Sequence, residues 1–478
     1  MSLQKNKIKK IHFVGIKGAG MTPLSIIAKE AGISVTGSDV SESFITDGQL
    51  KKAGITPLIG FSKGRVLDSD LVVTTSAHKG LDNIEVKEAE KRNIPVLTQA
   101  EALGRFQKGE IFGKKYFGIS VAGSHGKTTT SAAVATILLE NGMDPSYSIG
   151  TGNIPSLGLS GHFGKGKYFI AEADEYFTDV VYKKFPKFYF QSPKMIVVTN
   201  IDFDHPDVYR SIDQIREVFL KFARELPNDG VLIACGDGEE NRKFLAGFDG
   251  KKITYGFSPD NDFILERVSF SNELMFFWVK SQDTSLGQFS TKVFGRHNGL
   301  NCLGAAVAGL EVGLSVEQVK KGLKNFSGTE RRQEFLGTTS GGVLIYDDYA
   351  HHPEEIKSTL SAFRSIFPKH KIISVFQPHM YSRTIKLFDK FSHSFVDADE
   401  VIILEVFPSF REKKDPNFSS LLLSDEIRKN GKKSLYLPNK SDVIKYLSSQ
   451  SFIPNTLIIT MGAGDIYKAG EKLIHPVR

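Results

Sequence analysis

Cysteine is nearly missing from this chain: Cys235 and Cys302 are the two present in 478 residues. They form no CxxC pair, which excludes a disulfide framework and agrees with a reducing cytoplasm. Long apolar runs are also lacking, since no stretch approaches the roughly 18 apolar residues needed to cross a bilayer. After a basic start, only the apolar-leaning residues 11–16 precede Lys17, too short for a secretory signal core. These absences predict a soluble, cytoplasmic protein with no membrane partner. One-sided charge is missing too: 61 Lys and Arg against 54 Asp and Glu leave a net charge of +7, gathered into no long run. No stripe of Lys and Arg with interleaved aromatics appears, so nucleic acid is not expected as a partner. The balance suits anionic ligands such as nucleotides. There is no fixed-period repeat and no low-complexity segment.

What is present is an alternation. Short β-rich runs at residues 11–16, 34–38, 71–75, 117–122, 169–173, 195–200, 231–234, 372–376, 401–406 and 457–461 are separated by helical patterns. Several are nearly continuous apolar runs, as expected of parallel strands covered on both faces. The alternation predicts an α/β fold, and the length predicts several domains. Turn-prone residues 108–115 and the segment 326–329, after a helix, suggest three domains spanning 1–113, 114–326 and 327–478. Residues 263–293 break the rhythm and read as antiparallel strands appended to the middle domain.

The strongest motif is Gly123-Ser124-His125-Gly126-Lys127-Thr128-Thr129-Thr130, between a strand and a helical pattern. That context is what a phosphate-binding loop requires. Backbone N–H groups and the helix N-terminus face phosphate oxygens, Lys127 supplies a charge for the β/γ phosphates, and the Thr128 hydroxyl can ligate Mg2+. The spacing departs from the ordinary pattern, with two residues between the glycines and Val121 where the first glycine would stand. Two acidic clusters follow other strands: Glu172-Ala173-Asp174-Glu175 and Asp202-Phe203-Asp204-His205. Ligands of parallel sheets bind at the carboxyl ends of the strands. Either cluster alone suits a solvated strand end, but beside a phosphate loop both suit a metal bound with ATP. Glu175 is given no chemical role on this reading.

These residues resemble the Mur ligases, which join amino acids or peptides to UDP-N-acetylmuramic acid. The resemblance runs along essentially the whole chain. Besides the loop and acidic clusters it rests on Gly15-Ile16-Lys17-Gly18-Ala19-Gly20-Met21, Gly295-Arg296-His297-Asn298 with Asn301, and Arg331-Arg332. It continues through Asp347-Asp348-Tyr349-Ala350-His351-His352-Pro353, residues 376–384, and Gly462-Ala463-Gly464-Asp465. It implies a Rossmann-like N-terminal domain, a central P-loop ATPase domain and a Rossmann-like C-terminal domain that binds the amine. It also implies an ATP-dependent ligase of peptidoglycan precursor synthesis, working through an acyl phosphate. By resemblance Thr128, Glu172 and His205 are metal-linked, and Lys127, Glu172, His205, His352 and Arg383 are catalytic. ATP-binding residues then run from Gly123 to Thr129 (Gly123, Ser124, His125, Gly126, Lys127, Thr128, Thr129) and include His297, Asn298, Asn301, Arg332 and Asp348.

In the first domain the glycine spacing is GxxGxG, unlike the dinucleotide fingerprint GxGxxG. It resembles a UDP-binding loop, which implies Gly18, Ala19, Gly20, Ser38, Asp39 and Ser76 as UDP-sugar residues, with Asn83 a further part of that site. For the amine, the first and third domains resemble the family member that adds L-alanine to UDP-N-acetylmuramate. Tyr176, the basic stretch 183–194 and residues 203–205 look more like the member that adds the recycled tripeptide L-Ala-γ-D-Glu-meso-diaminopimelate. Met380 stands where the alanine-adding member usually has arginine, although Arg383 is retained. L-alanine is the expected amine, with the tripeptide as the alternative.

Overall fold

Val, Ile and Phe fill the strands, and the runs buried on both faces pair in parallel. The computed structural model describes residues 8–179, 181–407, 412–453 and 455–474. They form three main sheets, each wrapped by helices. The first is five-stranded and parallel, with Lys10–Val14 at its centre between Ser34–Asp39 and Leu71–Thr74. The third is six-stranded, with Thr456–Met461 between Leu344–Asp348 and Lys371–Phe376. All ten runs expected from the sequence are strands, and all but Phe117–Ala122 differ from the expected bounds by a residue or more. The first ends at Val14 because Gly15 turns left-handed, at φ +82°. A Cβ there would lie 2.4 Å from Thr75 Cγ2, so both the turn and the close approach require glycine.

The middle sheet has ten strands, and its register assembles the site. Phe117–Ala122 lies between Tyr168–Glu172 and Met195–Val198, parallel to both. Val121 is level with Glu172 and Ala122 with Val198. Both acidic clusters therefore leave the sheet beside the loop that begins at Gly123. At the far edge Phe263–Ser271, Leu274–Ser281 and Thr284–Thr291 form the antiparallel appendix. Among the described residues no helix is long and apolar enough to cross a membrane.

The first and middle sheets share a core. Phe169 and Ala171, on the middle strand Tyr168–Glu172, are buried in one cluster with Phe13, Leu24 and Ile27 of the first domain. Phe169→Ala empties the centre of that joint and should lower stability by about 3–5 kcal/mol, read by urea denaturation followed by circular dichroism. A loss below about 1 kcal/mol would mean that the joint is not packed as a core.

Candidate active site

The phosphate loop turns on a tight backbone position. Gly126 precedes the helix Lys127–Glu140 at φ +82°, and a Cβ there would meet Asn301 Oδ1 at 2.3 Å. Ser124 and Asp202 fasten the loop reciprocally: Ser124 Oγ donates to Asp202 O at 3.0 Å and accepts from Asp202 N at 2.8 Å. The His125 N–H donates to Asn200 Oδ1 at 2.9 Å. Lys127 Nζ donates back to Gly123 O at 2.6 Å and meets Glu175 Oε2 at 3.0 Å. Glu175, given no role from sequence, is thus the counter-ion of the loop lysine.

Two sets of side chains flank that pair. Thr128 Oγ1 donates to Glu172 Oε2 at 3.2 Å, and the Gly150 N–H donates to Glu172 Oε1 at 2.8 Å. His205 Nε2 lies 3.6 Å from Glu175, and Asp174, Glu175 and His205 offer ligand atoms within 4.8 Å of one another. The structure therefore puts Thr128 with Glu172, and His205 with Asp174 and Glu175, on the two sides of Lys127. The donors are mostly carboxylate and hydroxyl oxygens, as a hard cation such as Mg2+ prefers. His205 Nδ1 is buried without a hydrogen-bond partner. These residues fit a divalent cation.

A cavity of about 520 Å³ adjoins the loop. His125, Gly126 and Thr129 line it from the loop, His297, Asn298 and Asn301 from the helix Arg296–Glu311, and Arg332 and Asp348 from the third domain. Asn298 Nδ2 donates to Gln333 Oε1 at 2.9 Å, tying that helix to the third domain. Arg383 is buried against Asp204, with Nε at 3.0 Å and Nη2 at 2.9 Å from Oδ1.

His352 lies where the second acidic cluster meets the helix Pro353–Ile366. It is fully buried. Its Nε2 donates to Phe203 O at 3.1 Å, while Nδ1 accepts from Glu354 N at 3.4 Å to cap the helix Pro353–Ile366. Both nitrogens are engaged, one capping the helix and one docking it on Phe203. His125, Asp202 and His352 offer atoms within 4.8 Å of one another, but both His352 nitrogens already have hydrogen-bond partners. Glu355, which the sequence reading missed, links much of this region. It lies 3.3 Å from His125 Nδ1 and 3.6 Å from Arg332, and accepts from the His351 N–H at 3.0 Å. The signal was available, because Glu355 closes a capping box three residues after His352.

In the first domain Gly18, Ala19 and Gly20 are half-buried and Ser76 is exposed. Ser38 turns inward, its hydroxyl donating to the buried Glu85. Asp39 accepts from the Lys17 N–H at 2.7 Å and lies 3.3 Å from His78, so it shapes the glycine loop. Asn83 caps the helix Ile84–Lys91. The glycine loop reaches the other site: Ala19 O lies 3.9 Å from a Cβ built on Gly150, whose N–H holds Glu172.

Residues 10–110 match the Mur ligase family catalytic domain, 121–309 the Mur ligase middle domain, and 331–464 the Mur ligase glutamate ligase domain. The chain is a Mur ligase. A UDP-N-acetylmuramate–L-alanine ligase of Desulfitobacterium hafniense (strain Y51) is 39% identical over 465 residues, which are 97% of this chain and 99% of that one. The crystal structure of a UDP-N-acetylmuramate–alanine ligase from Thermotoga maritima superposes with a TM-score of 0.79 at 27% identity, covering 97% of this chain and 98% of that one. A murein peptide ligase from Psychrobacter arcticus 273-4 shares the fold, with a TM-score of 0.70 at 24% identity over 98% of this chain and 99% of that one.

Burial sorts the ionisable groups of this Mur ligase. It raises the Glu172 carboxyl above its ordinary range, despite the bonds from Gly150 and Thr128 and the nearby Lys127. It raises Asp348 to about 6 and lowers His297 and His351 to about 4. At His125 burial alone would lower the imidazole, but Asp202 and Glu355 outweigh it and raise the group to about 10. A raised histidine contributes stability that is complete below its ordinary value of about 6.5 and is lost as pH rises through its folded value. The stability difference between the unaltered protein and His125→Gln should therefore shrink between about pH 6.5 and about pH 10, read by chemical denaturation. A difference that stays constant across this window would mean a neutral His125.

Proposed function

We propose that this Mur ligase joins L-alanine to the carboxyl group of UDP-N-acetylmuramate, using ATP, in the cytoplasmic stage of peptidoglycan precursor synthesis. The observation that carries the reading is the meeting of three parts at one corner. The phosphate loop with Lys127, Thr128 and Glu172 is approached by the first-domain glycine loop at Ala19 and by third-domain Arg383 through Asp204. We assign 1–113 to the UDP-sugar, 114–326 to ATP and 327–478 to the amine. The substrates are small molecules, and neither nucleic acid nor a membrane is a partner.

The substrate carboxylate attacks the γ-phosphorus of ATP, the bond to the bridging oxygen breaks, and ADP leaves with an acyl phosphate formed. The amine nitrogen then attacks the acyl carbon. The tetrahedral intermediate collapses, expelling phosphate and a proton. The loop N–H groups and Lys127 hold the phosphoryl oxygens, where fixed charge contributes most. Glu175 keeps the ammonium aimed until phosphate competes for it. Mg2+ ions held by Thr128 with Glu172, and by His205, would offset negative charge on the transferring group. His297, Asn298, Asn301, Arg332 and Asp348 hold the rest of the nucleotide, and Gly18, Ala19, Gly20 and Ser76 face the UDP-sugar.

One feature supports a small amine. Three of the four lysines of the basic stretch are neutralised in place: Lys183 pairs with Glu101 at 2.6 Å, Lys187 with Asp174 at 2.7 Å and Lys194 with Asp229. A tripeptide with several carboxylates would have to compete with those pairs. Met380, where the alanine-adding member usually has arginine, is buried and counts against that amine, while Arg383 is retained.

ADP release should require both UDP-N-acetylmuramate and an amine, with kcat/KM higher for L-alanine than for the tripeptide. Lys127→Ala should lower kcat by about 100-fold or more while the protein stays folded. A coupled ADP assay reads all three. Turnover of ATP with neither co-substrate, or a preference for the tripeptide, would overturn the reading.

A further inference from the structure

His205 stands in a left-handed backbone conformation, at φ +54°, that non-glycine residues seldom adopt. Such a conformation persists only when its surroundings over-determine it. The backbone does part of this: the N–H groups of Val208 and Tyr209 both donate to His205 O at 2.9 Å. The imidazole has weaker fixings. Its Nε2 is 3.6 Å from Glu175 and 3.7 Å from Asp204, longer than hydrogen bonds, and its Nδ1 has no partner. What the ring does touch is the Tyr176 ring, edge to face, with centroids 4.9 Å apart and planes at 63°.

Tyr176 is itself anchored on both acidic turns. It is buried, and its hydroxyl donates to Asp207 Oδ2 at 2.7 Å, two residues beyond His205. Its backbone N–H donates to Asp174 Oδ1 at 3.0 Å. Lys187, paired with Asp174, lies 5.6 Å from the ring centroid, and its N–H donates to Tyr176 O at 3.0 Å. One residue thus links the Asp174 carboxylate, through its N–H, to the turn that carries His205, through its ring and hydroxyl.

We infer that Tyr176 is a positioning residue: its ring fixes the His205 imidazole, and its hydroxyl fixes the distance between the two acidic turns. It acts through His205 and touches no substrate. The inference rests on the reading of His205 as a metal-facing group. It also gives the Glu172-to-Tyr176 motif a role at the cation and not at the amine.

The test is binding of Mn2+ to the full-length protein with saturating ADP, followed by electron paramagnetic resonance, alongside steady-state kinetics. Partners that orient a metal-ligating histidine typically account for 10- to 100-fold in affinity. Tyr176→Leu should therefore weaken Mn2+ binding about tenfold and lower kcat, with the KM for UDP-N-acetylmuramate nearly unchanged. Tyr176→Phe keeps the ring and should recover most of the Mn2+ affinity, which a general packing defect would not allow. It also keeps the test alive if the leucine variant fails to fold. His205→Ala is the reference. If it weakens Mn2+ binding while both Tyr176 variants bind as the unaltered protein does, the positioning role is overturned and the metal reading stands. If His205→Ala leaves Mn2+ affinity intact, both fall.

Discussion

The composite site depends on a buried ion pair. Asp204 ends the loop after a middle-domain strand, Arg383 lies on a short third-domain helix, and the guanidinium reaches one carboxylate oxygen with two nitrogens. Desolvating two charges costs about as much as their attraction returns, so such a pair adds little net stability. Its effect is geometric, because a planar fork matches a carboxylate in few orientations and a lysine would not impose them. The same carboxylate holds the His205 N–H at 2.6 Å. The pair that docks the third domain therefore also fixes the turn on which His205 stands, and the two halves of the site share one anchor.

Around that anchor the charges are nearly balanced within a small volume. Glu175 faces Lys127, Asp174 faces Lys187, Asp204 faces Arg383, and Asp202 with Glu355 faces His125. Asp174, Asp204 and Glu355 are held well below the ordinary carboxylate range despite burial, because their cations outweigh desolvation. Glu172 differs. It receives hydrogen bonds from Thr128 and Gly150, yet burial dominates and its carboxyl is raised. A buried carboxylate lacking full compensation, beside a glycine loop at a helix N-terminus, is chemically suited to a cation.

Much of this was legible in the sequence, for identifiable reasons. The ten expected strands were visible because parallel strands buried on both faces are continuous apolar runs. The loop and acidic clusters were visible because parallel topology puts consecutive strand ends on one side. Short strands such as Leu58–Ile59 and Gly161–His162 hold too few residues to have a period. The hairpin Phe177–Asp179 with Lys183–Pro186 hid inside a stretch that read only as basic. At adjacent His351 and His352, sequence cannot say which faces a cleft, and burial assigns His352 to the helix cap. Glu355 meets His125 across 230 residues, a contact no local pattern encodes.

The two joints between domains differ in kind, and the difference follows from chemistry. The first domain meets the middle one through Phe169, Ala171 and the helix Thr22–Glu30, whose Pro23 O would lie 2.3 Å from a Cβ on Gly161. Parting that joint would expose apolar surface at about 25 cal/mol per Å². The third domain meets the middle one mostly through polar pairs, Asp204 with Arg383, His125 with Glu355 and Asn298 with Gln333, with Phe294 against Phe363 among the few apolar contacts. Water can replace most of those polar partners, so this joint parts at lower cost, as polar interdomain contacts generally do. The chain between them is shaped accordingly: Arg331 and Gln333 are both left-handed, at φ +61° and +50°, and between them Arg332 is presented to the cavity. The residue that brings the third domain to the cavity thus sits in the segment where the chain crosses between the two domains.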